Sequence, residues 1–209
     1  MKSSKPSIAV IGAGIGGLAV SSCLRKVGIE TRIYEQASTF TRIGAGIQMT
    51  PNAMRVLNGI GIGEKIATHA FEPPHFRSRD FDTGILTNEH LLGPDTFEKY
   101  GVRYFLMHRG DLHAALYSAV QSDTLRYGHK LIDIDWSDGG VTLKFQNGAT
   151  AAHDAVIASD GVHSPVRSWM LGSEGAQFTN RLAYRTAFPA SLLNGYQLMD
   201  DCVKWWGPD

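Results

Sequence analysis

The chain alternates short uninterrupted apolar runs with stretches in which apolar positions recur every three or four residues. Ser7-Ile8-Ala9-Val10-Ile11 is a β-branched run bounded by Pro6 and Gly12, which predicts a short strand buried on both faces. Positions 15, 18, 19, 23 and 27 are apolar at helical spacing and Gly28 interrupts the pattern, so a helix is expected over 15–27. Thr31–Tyr34 reads as a second strand, ending at Glu35. Pro51–Asn58 reads as a helix with proline in its first turn and Gly59 beyond its end. Asp111–Gln121 is amphipathic, with Leu112, Ala115, Leu116, Ala119 and Val120 on one face.

Strands are expected over 124–127, 130–137 and 141–146, joined by Asp138-Gly139-Gly140 and followed by the turn Asn147-Gly148 and a run ending Ala155–Ala158. Ser164-Pro165 opens a further helix, the serine as cap and the proline at the first position. Residues 71–107 carry prolines and histidines without a clear period and read as an irregular excursion with short strands. From about Gly172 only isolated apolar segments remain, 182–188 and 202–206.

The first turn carries the chemistry. Gly12-Ala13-Gly14-Ile15-Gly16-Gly17 lies between a buried strand and a helix, the order a dinucleotide site needs. The first glycine makes a tight turn, the second lets the backbone approach a pyrophosphate, and the third lets the helix pack on the strand. The helix start adds free N–H groups and the positive end of its dipole. Glu35, 18 residues beyond Gly17 at the end of the second strand, is placed to accept hydrogen bonds from a ribose diol. The fold expected is α/β, a Rossmann-like three-layer domain of the FAD/NAD(P)-binding type. The glycine loop does not choose between NAD and FAD.

Composition narrows the remaining classes. The 209 residues carry 20 basic and 20 acidic side chains, a formal net charge of zero with no basic stripe, which argues against a nucleic-acid binder. The two cysteines, Cys23 and Cys202, are too few and too far apart for a disulfide scaffold or a zinc site, so no metal is expected and a reducing cytoplasm is the simplest compartment. Lys2 and Lys5 ahead of the apolar run Ile8–Val20, with Val20-Ser21-Ser22-Cys23 at its end, superficially match an export signal. The glycines in that run each disfavour a helix by about 1 kcal/mol and fit the nucleotide loop better. No run is long enough for a transmembrane helix.

Three further segments settle the cofactor. Arg42-Ile43-Gly44-Ala45-Gly46-Ile47-Gln48 with Thr50-Pro51-Asn52, then His108-Arg109-Gly110-Asp111-Leu112, then Ala158-Ser159-Asp160-Gly161-Val162-His163-Ser164-Pro165-Val166-Arg167 appear in that order. Together with the glycine loop they resemble the class A FAD-dependent aromatic monooxygenases over roughly residues 7–170. The resemblance implies FAD as cofactor, NADH or NADPH as reductant, and hydroxylation of a small hydroxylated aromatic or N-heteroaromatic acid by O₂ through a flavin hydroperoxide.

It further implies that Gly12, Gly14, Gly16 and Gly17 lie along the pyrophosphate and that Glu35 binds the adenosine ribose with Gln36 beside it. Leu131 would sit near the adenine, Arg109 would reach the nucleotide or ribityl chain, and Asp160 would serve both the pyrophosphate and the nicotinamide cofactor. Arg42 and Gln48 would flank the entry to the substrate pocket, with Cys202 lining it. Phe76–Asp80, His108–His113 and Cys202–Trp206 are similar to the branch acting on hydroxylated nicotinic acids. That branch carries a histidine where this chain has Gln48, and a glutamine there is similar to salicylate- and hydroxybenzoate-type hydroxylases. No side chain is nominated as a catalytic group, because the cofactor carries the chemistry and an amide is no base near neutral pH.

The expected division is an FAD-binding domain over 1–171 and the beginning of a β-rich substrate domain over 172–209. The family's second flavin motif, a Gly-Asp stretch, is not found, and a partial form that binds FAD weakly is expected. Two other readings stand beside this one: another flavin oxidoreductase of the same fold, and a nucleotide-binding module without catalysis.

Overall fold

The computed structural model describes residues 5–41, 44–137, 139–172, 175–196 and 200–207. The chain divides into two compact units, one formed by 1–42 with 113–183 and the other by 43–112 with 184–209.

The first unit is built on strand β1 (Ser7–Ile11), helix α1 (Ile15–Lys26) and strand β2 (Glu30–Tyr34). β1 and β2 are the inner strands of a parallel sheet in the order β11-β1-β2-β7, where β7 is Leu125–Arg126 and β11 is Ala155–Ala158. Parallel sheets need both faces covered, and the alternation of side chains along β1 shows how. Val10 faces α1, its Cγ1 lying 3.3 Å from where a Cβ on Gly17 would stand. Ala9 and Ile11 face the opposite way, into a core with Tyr34, Leu143, Phe145 and Val166.

That second layer is an antiparallel meander of β8 (Leu131–Ser137), β9 (Gly140–Phe145) and β10 (Thr150–His153), with α6 (Pro165–Leu171) supplying Val166. Helix, parallel sheet and meander make the three layers of a Rossmann-like domain. The run through 150–158 is two strands in different sheets. Asp154 separates them, its N–H donating to the Ser7 carbonyl at 2.9 Å while its Oδ2 accepts from the Ser7 N–H at 2.6 Å.

The second unit holds β3 (Gly46–Met49) paired antiparallel with β6 (Phe105–His108), and a sheet in which β4 (His75–Asp80) lies between β5 (Leu86–Leu91) and β12 (Cys202–Trp206). Helices α2 (Pro51–Gly59) and α3 (Gly63–His69) bury Met54, Leu57 and Ile66, and α4 (Pro94–Tyr100) buries Thr96. Helix α5 (Arg109–Ala119) follows β6. Here the pattern is less legible. α3 and α4 are seven residues each, too short to display a helical period. β3 falls in a glycine-rich stretch whose strand state comes from pairing with β6. Of the apolar segments after Gly172, 202–206 is strand β12, whereas 182–188 has no regular structure and leaves Leu182 and Phe188 exposed. Among the described residues no helix is long and apolar enough to cross a membrane.

Candidate functional site

In the first unit the end of β1 turns into α1 through a backbone that only glycine permits at two points. Gly12 has φ +99°, and a Cβ there would stand 2.5 Å from the Ser159 carbonyl oxygen. A Cβ on Gly17 would stand 1.9 Å from the Gly12 carbonyl oxygen, so helix and strand meet without room for any side chain. Gly14 differs: its φ is −70°, and nothing lies within 4 Å of where its Cβ would be. Neither turn geometry nor internal packing requires a glycine at 14. What its missing side chain leaves clear is the wall of a cavity.

That cavity has a volume of about 560 Å³. Of the residues expected to bind cofactor, Gly12, Gly14, Glu35, Gln36, Leu131 and Asp160 line it together. Gly16 and Gly17 stand in the first turn of α1 just behind. The volume falls within the ~300–1,000 Å³ typical of small-molecule sites. A helix start, whose first N–H groups have no intrahelical partner, beside an open wall fits a dinucleotide pyrophosphate, and an acid at the end of β2 fits its ribose.

Glu35 is already engaged. Its Oε2 accepts from the Ala13 N–H at 2.7 Å and its Oε1 from the Ala37 N–H at 2.8 Å. The carboxylate therefore ties the glycine loop to the end of β2 as well as lining the cavity, and each oxygen retains lone-pair capacity for a hydroxyl donor. The loop is held from the other side by His113, whose Nε2 lies 2.7 Å from the Ala13 carbonyl oxygen. A carbonyl only accepts, so this nitrogen carries the proton. The imidazole packs on Phe40 with ring centroids 4.8 Å apart. Asp160 likewise has a structural duty: its Oδ2 accepts from the Val166 N–H at 3.3 Å, beside the Ser164 Oγ that caps α6 by accepting from the Arg167 N–H at 2.9 Å.

Ser159, His129 and Lys130 are among the cavity residues that the sequence did not single out. Ser159, between the end of β11 and Asp160, is the backbone against which Gly12 turns. His129 and Lys130 line the cavity ahead of Leu131. His129 Nδ1 lies 2.6 Å from the Tyr127 carbonyl oxygen, and its ring packs against Phe145 with centroids 5.0 Å apart. Their signal is only position, since they follow a two-residue strand that pairs with β2.

Arg109, Gln48 and Cys202 belong to the second unit, and Arg42 lies outside the described residues. Arg109 opens α5, its N–H donating to the Ala45 carbonyl at 2.8 Å, and its side chain packs on Gly44, where a Cβ would stand 2.7 Å from the Arg109 Cβ. Gln48 and Cys202, 154 residues apart in sequence, meet with Gln48 Nε2 donating to the Cys202 sulfur at 3.6 Å. Burial pushes the Cys202 thiol above its ordinary value, against the opposing pull of that hydrogen bond. Tyr104 is pushed up to about 12 by burial, with Cys202 adding to the effect. Both groups are neutral near pH 7.

β12 is fixed beside them by a charged cluster. Asp201, its side chain only 5% exposed, accepts from the Arg77 Nη1 and lies 2.9 Å from His75 Nδ1. Glu89 stands 3.4 Å from Arg77 and 3.6 Å from His75 on the far side. Among the described residues no group of acidic, histidine or cysteine side chains is arranged to hold a metal ion.

Comparison with known proteins agrees with this geometry. The FAD binding domain family matches residues 5–181. The 6-hydroxynicotinate 3-monooxygenase of Bordetella bronchiseptica is 38% identical over 205 residues, covering 98% of this chain and 54% of that protein. The 3-amino-4-hydroxybenzoate 2-monooxygenase of Streptomyces cremeus is 33% identical over 201 residues, 96% of this chain and 51% of its own. Among solved structures, Klebsiella pneumoniae HpxO complexed with FAD and uric acid superposes with a TM-score of 0.69 at 30% identity, over 78% of this chain and 41% of that one. The chain spans about half the length of the curated relatives it matches.

Proposed function

The chain belongs to the FAD binding domain family, and from that premise we propose that it is the FAD-binding portion of an aromatic monooxygenase acting on a small hydroxylated aromatic or N-heteroaromatic acid with NADH or NADPH and O₂. The observation that carries the reading is the convergence of Gly12, Gly14, Glu35, Leu131 and Asp160 on one cavity whose wall is kept bare at Gly14. FAD, when bound, supplies the redox chemistry and the activation of O₂.

The residues of this chain have narrower duties. The first N–H groups of α1 receive the pyrophosphate, Gly14 and Gly16 lie along it, and Gly17 lets the helix sit close to the strand. Glu35 receives the ribose hydroxyls, Gln36 borders them, and Leu131 gives an apolar wall to the adenine. Asp160 orients the start of α6 beside the phosphates. Arg109 and Arg42 are assigned to the cofactor chain and the flavin entrance. Gln48 offers an amide to the ring substituent, and the protonated Cys202 thiol forms a neutral wall next to it. We assign 1–171 to FAD binding and 172–209 to the beginning of the substrate sheet, with strand β12 completing that sheet on β4 from within 43–112. A cytoplasmic location belongs to the same proposal.

Two measurements test it. Titrating FAD into the chain should quench flavin fluorescence saturably. NADH or NADPH oxidation stimulated by 6-hydroxynicotinate or 3-hydroxybenzoate, with a hydroxylated product, should be found in this chain or in a longer product of its gene. Saturable FAD binding without stimulated oxidation or product in either would leave a nucleotide-binding module and overturn the monooxygenase reading.

A further inference from the structure

A second cavity in the first unit shares no residue with the cofactor cavity. It has a volume of about 330 Å³ and opens where α1 ends and β2 begins, away from the glycine loop. Lys5, Arg25 and Arg32 line it. None of the three forms an ion pair among the described residues. The two arginines are nevertheless anchored: Arg25 Nη1 donates to the Ala119 carbonyl at 3.3 Å, and Arg32 Nη1 donates to the Asp123 carbonyl. A guanidinium has five N–H donors in a rigid fork, so one backbone contact orients each group and leaves donors over. The Lys5 ammonium lies 3.2 Å from where a Cβ on Gly28 would stand, at the rim.

A residue on the lining carries a polar group that the protein leaves unsatisfied. Ser22 is 6% exposed, lines the cavity, and its Oγ is buried without a hydrogen-bond partner. A buried hydroxyl left unpaired destabilises the fold. Its neighbour Ser21 is satisfied by Thr31. Glu30 and Asp123 are the acidic residues on the lining, so the local balance is three cations to two carboxylates. A dianion accepting from both guanidinium groups and from Ser22 would relieve both the uncompensated charge and the orphaned hydroxyl.

We propose that this cavity binds a phosphate group, either free phosphate or the head of a small phosphomonoester. The proposal is independent of the cofactor reading, because Glu35 and the glycine loop take no part in it. The test is isothermal titration calorimetry of the chain with inorganic phosphate and, separately, with glycerol 3-phosphate, ionic strength being held constant with chloride. Saturable one-site binding is expected. The double variant R25Q/R32Q should weaken it at least about tenfold, the equivalent of one charge-assisted hydrogen bond. S22A, which leaves the charges and the fold alone, should weaken it by a smaller factor, and E35Q should leave it unchanged. Tighter binding of the ester than of phosphate would identify the ester as the source of the group. Heat no larger than that of chloride, binding unaltered in both R25Q/R32Q and S22A, or binding lost in E35Q would each overturn the proposal.

Discussion

Single residues at the glycine loop separate folding from binding. A methyl group at position 17 meets the Gly12 carbonyl oxygen at 1.9 Å, whereas at position 14 it meets nothing within 4 Å. Helix propensity alone favours Ala over Gly by about 1 kcal/mol. At Gly17 the clash is with backbone that cannot swing away, so overpacking wins, and Gly17→Ala should lower stability by roughly 1–3 kcal/mol. Gly14→Ala should leave the urea midpoint unchanged and weaken FAD binding. Equal midpoints for the two variants would remove the distinction.

His153 makes a second prediction. Its ring bridges the Tyr34 hydroxyl at 2.9 Å and the Ser7 hydroxyl at 2.8 Å, and burial, aided by Arg32, holds its pKa below the ordinary 6.5. Below pH 6.5 the unfolded chain takes up a proton that the folded chain still refuses, so stability present above that pH is lost as pH falls. The melting temperature should drop through this window, and His153→Gln should flatten the drop.

At the scale of elements, β1, α1, β2 and the meander were legible because a long period or a pure apolar run announces them, and α6 because Ser164 caps it and Pro165 starts it. α3, α4 and β3 were not, since seven residues or a glycine-rich pair carry no period of their own. β12 is the element where pairing and charge act together. Its backbone ladder with β4 is parallel, and Asp201 ties its start to Arg77 and His75. Removing one partner of a fully buried ion pair costs about 3–5 kcal/mol. Arg77 is 21% exposed and keeps Glu89, so Asp201→Ala should cost less, roughly 1–3 kcal/mol. It should also speed alkylation of Cys202, followed by peptide mass spectrometry with Cys23 as the internal reference. An unchanged Cys202 rate would mean that the backbone ladder alone holds β12.

For the whole molecule, charge and exposed apolar surface act in the same direction. The formal net charge is zero at pH 7 and the isoelectric point is about 7.1. Met170, Leu171, Phe178, Leu182, Tyr184 and Tyr196 are all largely exposed. Near neutrality little net repulsion opposes contact between such side chains. Self-association measured by light scattering should therefore be greatest near pH 7 and fall by pH 9. Scattering independent of pH would show that charge does not limit it.

The sequence by itself determined the nucleotide-binding turn. A buried strand, three spaced glycines, a helix and a terminal acid are local features joined by spacing, and one reading accounts for all of them. Tertiary structure alone decided which of those residues share a wall, that Gly14 is bare for the cavity while Gly17 is bare for packing, and that His113 and Ser159 hold the loop in place. It alone brought Gln48 to Cys202 and gathered three cations and a serine with a buried, unpaired hydroxyl on the lining of a second cavity. Local patterns record what a residue does within its own element. Contacts between residues a hundred positions apart follow from how the sheets pair and pack, and no period along the chain carries that information.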